Sequence, residues 1–117
     1  MKKLMILIFL AFSSMTFSQK LIDKEGLYKL RANLEVQILD VRTLNEIQQG
    51  YIPESIHIDY FSKNFILTCC SKLDKKKPLV VYCASGARSS RASRELSRAG
   101  FKIIFDLDGG YDRWSAE

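Results

Sequence analysis

Short apolar segments of strand type alternate with helical segments along this chain of 117 residues. The predicted strands cover residues 36–41, 56–58, 79–82 and 103–105. The segment 79–82 (LVVY) is short and rich in β-branched residues, which is typical of a central strand covered on both faces. Because parallel strands need crossover connections, the alternation predicts an α/β fold with a parallel sheet and helices on both of its faces.

Helical patterns occupy the intervals between the predicted strands. One helix is predicted after Asp23, a residue type that caps helix N-termini, with leucines at three- and four-residue steps through Leu34. Another is predicted to start at Ser62, and the helix over residues 89–99 is predicted to end at Gly100. The remaining helical segments are residues 44–50 and a final turn through Trp114.

The first part of the chain differs from the rest. Two lysines precede nine residues without a polar side chain, 4–12 (LMILIFLAF), and a small and polar stretch follows. This pattern, with Thr16 and Ser18 as the small residues before a cleavage point at Gln19, is typical of a secretory signal. The apolar run is too short for a membrane span, since a bilayer core needs about 20 apolar residues in a helix.

We therefore expect a signal peptide over residues 1–18 and one small domain over residues 19–117, exported to the periplasm or secreted. No stable membrane insertion is expected after cleavage. The formal charge of +5 is mostly scattered, and the cluster at residues 75–77 is short and lacks interleaved aromatic residues. Nucleic acid is therefore not an expected partner.

Three cysteines are present, and in an oxidising compartment an odd number leaves at least one free or paired with another molecule. Cys69 and Cys70 fall on the apolar side of the helix predicted from Ser62, so we expect them to be buried and structural. A zinc site with His57, the only histidine, is disfavoured because the adjacent cysteines lack the usual two-residue spacer. The sequence predicts no metal site and no cofactor.

The segment 80–90 (VVYCASGARSS) places a cysteine between a strand end and a helix start. Functional groups of open parallel sheets lie at the carboxyl ends of strands, which is where Cys83 falls. An isolated cysteine is most simply interpreted as a core residue, since free cysteines are among the most buried residues. The small residues, the arginine and the helix start that follow Cys83 favour a nucleophile instead.

The residues after Cys83 are suited to hold an anionic sulfur. Their small side chains let backbone N–H groups surround whatever is bound to the sulfur, and the helix start adds partial positive charge. Arg88 adds a full charge that favours the thiolate, and Ser89 is expected to cap the helix. The catalytic residue is therefore predicted to be Cys83, and the substrate-binding residues to be Ala84, Ser85, Gly86, Ala87 and Arg88.

Five motifs occur in a recognisable order: Asp40-Val41-Arg42, Glu46, Gly50-Tyr51-Ile52-Pro53, the loop from Cys83 to Arg88, and Asp108-Gly109-Gly110-Tyr111. In this order the chain resembles a single rhodanese domain over residues 21–114. The resemblance implies a three-layer α/β/α rhodanese-like fold with a five-stranded parallel sheet, and a catalytic cysteine that carries sulfane sulfur as a persulfide. The chain departs from the family pattern around one turn, at Tyr51, Glu54, Ser55 and His57.

Four residues separate Cys83 from Arg88. Related cysteine phosphatases use five residues at this place, which makes a loop wide enough for phosphate. The narrower loop resembles the sulfurtransferase type, in which backbone amides surround a persulfide sulfur. Its only charge is Arg88, whereas loops suited to thiosulfate often carry further basic residues.

Residues near the end of the strand 36–41 are candidates for supporting this loop, because they share its edge of the sheet. The resemblance implies that Asp40 pairs with Arg88, whereas Arg42 and Glu46 are spaced to pair along a turn of helix. The predicted loop-supporting residues are Asp40, Arg42 and Ser89.

Arg91, Arg94 and Arg98 form a stripe on the helix that follows the loop. One interpretation is an attractor for anionic donors or for an acidic partner protein. The other is a solvated helix face, for which this spacing is ordinary.

Together these features predict an enzyme, an exported sulfurtransferase of the rhodanese type. The expected partners are a small sulfane-sulfur donor, a thiol or cyanide acceptor, and a partner protein that receives sulfur. A different class remains open, a persulfide carrier or protein-interaction module without turnover. A third alternative is a thiol redox protein that uses Cys83 with Cys69 or Cys70.

Overall fold

A computed structural model describes residues 19–117, so the predicted signal peptide, residues 1–18, lies outside the described residues. The elements follow in the order β1 Leu21–Ile22, α1 Lys24–Asn33, β2 Gln37–Asp40, α2 Leu44–Ile47, β3 Ile56–His57, α3 Phe65–Lys72, β4 Leu79–Tyr82, α4 Ala87–Arg98, β5 Ile104–Leu107 and α5 Gly110–Ala116. Over this part of the chain, no helix combines the length and the apolar character that a bilayer crossing requires.

The five strands form one parallel sheet in the order β1-β5-β4-β2-β3. β4 lies at its centre, with Tyr82 in register with Asp40 of β2 and Val81 in register with Asp106 of β5. The carboxyl ends of these three strands therefore meet at one edge of the sheet. The predicted fold class, a three-layer α/β/α rhodanese-like fold with a five-stranded parallel sheet, is confirmed.

The two faces of the sheet carry separate apolar clusters, because successive side chains of a strand point to opposite faces. Leu79 and Val81 pack in the cluster that also holds buried side chains of α3 and α4. Val80 and Tyr82 pack in the cluster with Leu27 of α1 and with α5. All four residues of β4 are fully buried, as the continuous apolar run predicted.

The helix ends agree with the predictions at some positions and differ at others. Asp23 caps α1 as predicted, since its carboxylate accepts a hydrogen bond from the Gly26 amide at 2.7 Å. Ser62 does not cap α3; its hydroxyl donates to the Asp59 carbonyl oxygen in a tight turn, and α3 begins only at Phe65. The predicted helix over residues 44–50 is shorter, because α2 ends at Ile47.

Cys69 lies in the core and Cys70 is half-buried, so the prediction of burial holds fully for only the first of the pair. Burial raises the pKa of the Cys69 thiol to about 12. The Cys69 side chain is therefore protonated and unreactive at neutral pH and acts as a small apolar residue.

We expect Cys69→Ala to lower the free energy of unfolding by about 1 to 3 kcal/mol, because the change leaves a void in a fully buried position. Cys70→Ala is the matched control, with the same chemical change one residue further at a half-buried position, and should cost clearly less. Urea unfolding of the two variants measures the difference. Equal losses would show that burial does not decide the role of these residues.

Candidate active site

Cys83 directly follows β4, and α4 begins four residues later at Ala87. Its side chain is almost fully buried, and the Gly86 amide donates a hydrogen bond to Cys83 Sγ at 3.1 Å. Gly86 has a φ of +123°, which L side chains rarely adopt, so glycine is what allows the loop to turn its amide onto the sulfur. An amide aimed at the sulfur stabilises negative charge there, as was expected of this loop.

Ser89 does not cap α4, because the helix starts two residues earlier than predicted and places Ser89 inside its first turn. Its side chain is fully buried and its Oγ lies 3.5 Å from Cys83 Sγ. The same oxygen donates a hydrogen bond to Asp106 Oδ1 at 2.6 Å. Asp106 was not among the predicted site residues, although a lone carboxylate in the apolar segment 103–107 (IIFDL) is a signal that could have found it.

Arg88 forms a bidentate ion pair with Glu46, its Nη1 and Nη2 donating to Oε1 at 2.6 Å and Oε2 at 2.8 Å. The predicted pairing of Asp40 with Arg88 is therefore wrong. Arg88 and the hydrogen bonds from Thr43 hold the pKa of the Glu46 carboxyl at about 2, so this group stays ionised at neutral pH. The carboxylate thus offsets the single positive charge of the loop.

Asp40 pairs with Arg42 instead, and both side chains are buried. Arg42 Nε lies 3.0 and 3.1 Å from the two carboxylate oxygens, and the Arg42 backbone N–H donates to Oδ1 at 2.9 Å. The predicted pairing of Arg42 with Glu46 is also wrong. α2 begins after Arg42, and the Arg42 guanidinium is buried and donates to Asp40 and to the Gly50 carbonyl oxygen. The Arg42 guanidinium also lies 4.2 Å from the Tyr111 ring centroid, which connects β2 to α5.

The start of α5 is docked onto the loop. The Tyr111 amide donates to the Cys83 carbonyl oxygen at 2.8 Å, and the Asp112 amide donates to the Ala84 carbonyl oxygen at 2.9 Å. Gly110 permits this approach, since a Cβ there would lie 2.5 Å from the Ala84 oxygen. This support was not predicted as such, although the Asp108-Gly109-Gly110-Tyr111 motif is part of the resemblance.

A cleft of about 300 Å³ opens beside the loop. Its lining includes the positively charged Arg42, the negatively charged Glu46 and the loop residue Ala84. The remaining lining residues are Asn45, Gln49, Tyr111, Asp112 and Ser115. A small polar or charged molecule fits a cleft of this size and character.

The other residues singled out in the sequence lie away from this chemistry. Arg91, Arg94 and Arg98 are exposed on α4, as expected of a solvated face. His57 contacts the Arg42 carbonyl oxygen through Nε2 at 2.7 Å.

All three cysteines are free, and residues 19–117 contain no group of three or more side chains placed to bind a metal ion.

Comparison with known proteins identifies one family. The sequence model of the Rhodanese-like domain family matches residues 23–117. A protein named Sulfurtransferase from Allochromatium vinosum is 36% identical over 95 residues, 80% of this chain and 86% of the relative. The Thiosulfate sulfurtransferase GlpE of Pseudomonas savastanoi pv. phaseolicola is 38% identical over 79 residues, 68% of this chain and 72% of the relative.

Solved structures give the same result. The crystal structure of a rhodanese-like domain protein from Staphylococcus aureus superposes with a TM-score of 0.71 at 29% identity. The match covers 82% of this chain and 91% of that one.

Proposed function

Because the chain belongs to the rhodanese-like domain family, we propose that it is a sulfurtransferase that moves sulfane sulfur through a persulfide on Cys83 to a thiol or cyanide acceptor. The observation that carries this proposal is the hydrogen bond of 3.1 Å from the Gly86 amide to Cys83 Sγ, in a loop of small residues at the end of the central strand. Relatives at 30 to 38% identity are named thiosulfate sulfurtransferases, which supports the same class of reaction.

The reaction has two nucleophilic steps. In the first, the Cys83 thiolate attacks the sulfane sulfur of the donor; an S–S bond forms, and the donor's bond to that sulfur breaks with its electron pair leaving on the rest of the donor. In the second, an acceptor thiolate or cyanide attacks the outer sulfur, and Cys83 departs as a thiolate. The Gly86 amide faces an anionic sulfur whenever Cys83 carries the charge.

Intact-mass analysis after incubation with a sulfane-sulfur donor tests the proposal. We expect the mass of one added sulfur, which disappears when cyanide is added. A protein that gains no sulfur from thiosulfate or from polysulfide would overturn the proposal. A protein that gains sulfur but releases it to neither cyanide nor small thiols would instead be the persulfide carrier without turnover.

We further propose that the chain acts after export, in the periplasm or as a secreted protein, with the signal peptide over residues 1–18 removed. The basic start, the short apolar run and the small residues before Gln19 support this proposal. The same mass spectrum, recorded on protein from its native cell, reports the terminus. A chain that begins at Gln19 supports export, and one that retains residues 1–18 in the cytosol contradicts it.

Arg88 should matter most for a charged donor. We expect Arg88→Ala to slow sulfur loading from thiosulfate by about tenfold or more, because the lost interaction is mainly that of a guanidinium with an anion. Loading from a neutral organic polysulfide should change by less than about threefold. Stopped-flow or quenched mass spectrometry gives both rates, and equal effects on both donors would show that Arg88 only builds the loop.

Glu46→Gln is the matched variant for this prediction. It keeps an oxygen that accepts a hydrogen bond from Arg88 but removes the negative charge that offsets the guanidinium. We expect loading from thiosulfate to become faster while loading from the neutral polysulfide stays unchanged. A slower reaction with both donors would show that the bidentate pair is needed to shape the loop.

A further inference from the structure

A buried row of polar groups leads away from the sulfur. Cys83 Sγ lies 3.5 Å from Ser89 Oγ, and Ser89 Oγ lies 2.6 Å from Asp106 Oδ1. All three side chains are at most 2% exposed. The sulfurtransferase mechanism above does not use Asp106, yet a carboxylate is rarely buried without a task or a cation beside it.

The surroundings of Asp106 supply hydrogen bonds but no ion pair among the described residues. Its Oδ2 accepts a hydrogen bond from the Gln19 side-chain amide, and its backbone N–H donates to the Lys20 carbonyl oxygen at 2.8 Å. A second carboxylate, Asp108, contributes to raising the pKa of the Asp106 carboxyl and is itself paired with Arg113 at 3.0 Å. No side-chain cation of residues 19–117 forms a salt bridge with Asp106, so its carboxylate is available to take up a proton.

The groups that face Cys83 are equally few. On α4, Arg88 interacts with the sulfur through its charge but is held by Glu46 of α2. At the carboxyl end of β2, Asp40 forms a salt bridge with Arg42, two residues later. Cys83 and Asp106 are therefore joined through one buried serine, Ser89, with no cation paired to Asp106 among the described residues.

Resting on the proposed function, we propose that Asp106 accepts the thiol proton of Cys83 through Ser89 and thereby generates the nucleophilic thiolate. The S–H proton passes to Ser89 Oγ while the Ser89 hydroxyl proton passes to Asp106 Oδ1. Cys83 becomes a thiolate, Asp106 becomes a neutral carboxylic acid and Ser89 is unchanged. The single hydroxyl proton of Ser89 is directed to Asp106, since the alternative acceptor, the Gly86 carbonyl oxygen, is further away at 3.2 Å.

The position of Asp106 suits a proton acceptor that acts through another residue. Burial raises the pKa of its carboxyl above the ordinary value, and the hydrogen bonds from Ser89 and Gln19 only partly offset this. A raised carboxyl pKa makes the neutral acid easier to form, which is the state that the proton transfer requires. After the acceptor has taken the sulfur, the same proton can return to Cys83.

The rate of alkylation of Cys83 by iodoacetamide, measured against pH by peptide mass spectrometry, tests this proposal without any sulfur donor. For the unmodified protein we expect the faster alkylation, because Asp106 takes up the thiol proton through Ser89. Asp106→Asn keeps an oxygen that accepts from Ser89 but takes up no proton. It should react at least about tenfold more slowly at neutral pH.

Two further variants keep the test decisive if Asp106→Asn does not fold. Ser89→Ala leaves Asp106 in place but removes the bridge, and its alkylation should be slowed to a similar extent. Ser93→Ala is the matched control, since Ser93 is also buried on α4 and its hydroxyl has no hydrogen-bond partner among the described residues. Its profile should match that of the unmodified protein.

The opposite results would overturn the proposal. If Asp106 were only a neighbouring negative charge, its removal would favour the thiolate and make alkylation faster. If it were only structural, folded Asp106→Asn and Ser89→Ala would be alkylated at the same rate as the unmodified protein. The two proposals fail separately. If the unmodified protein does not load sulfur, the proposed function is contradicted. The alkylation rates of the variants still decide whether Asp106 accepts the thiol proton.

Discussion

We expect Cys83→Ser to lower the rate of persulfide formation by at least about 100-fold while leaving the fold intact. A serine oxygen does not form the S–S bond that stores the transferred sulfur. The substitution is small in a nearly fully buried position, and the new hydroxyl can still accept a hydrogen bond from the Gly86 amide. Intact-mass analysis after incubation with polysulfide should show no added sulfur, and urea unfolding should show a change of no more than about 1 kcal/mol.

The other two cysteines do not replace Cys83 in this experiment. Cys69 is fully buried with a thiol pKa raised to about 12, and Cys70 lies beside it on α3, a helix that packs on one face of the sheet. Cys70→Ser is the control, and it should load one sulfur as the unmodified protein does. Sulfur found on the Cys83→Ser variant would show that a cysteine of α3 is reactive, and it would favour the thiol redox alternative.

The sheet was predictable because its signals are local. The apolar run Leu79–Tyr82 is both a central strand and fully buried, and Cys83 follows from where that strand ends. The outer strand Leu21–Ile22 was not predicted from periodicity, because two residues are too few to show an alternating pattern. It forms through its pairing with β5, a contact between distant parts of the chain.

The ion pairs near the loop could not be predicted because they depend on competition between neighbours in space. Asp40 was expected to pair with Arg88, but Arg42 is two residues away and offers both its backbone N–H and its guanidinium. Arg88 pairs instead with Glu46, whose side chain is oriented by the capping box with Thr43. Sequence spacing alone does not rank these contacts, since the ranking follows from which side chains are buried.

Gly110→Ala should lower both stability and sulfur transfer, and by more than any other glycine substitution near the loop. The backbone φ of +61° already disfavours a side chain, and the added Cβ would lie 2.5 Å from the Ala84 carbonyl oxygen and 2.6 Å from that of Cys83. Both contacts are with backbone, so relief requires that α5 and the loop move apart. That movement breaks the hydrogen bonds from the Tyr111 and Asp112 amides.

We expect Gly110→Ala to cost about 2 to 4 kcal/mol of unfolding free energy, and the folded protein to load sulfur about 100-fold more slowly, because a displacement near 1 Å suffices for such a loss. Gly100→Ala is the matched control. It has an even less favourable φ of +105°, but its Cβ would meet only the Lys75 side chain at 3.7 Å, at the far end of α4. It should lose stability and keep its loading rate. If both variants loaded sulfur equally well, the docking of α5 would not position the loop, and the geometry around Cys83 would depend on α4 alone.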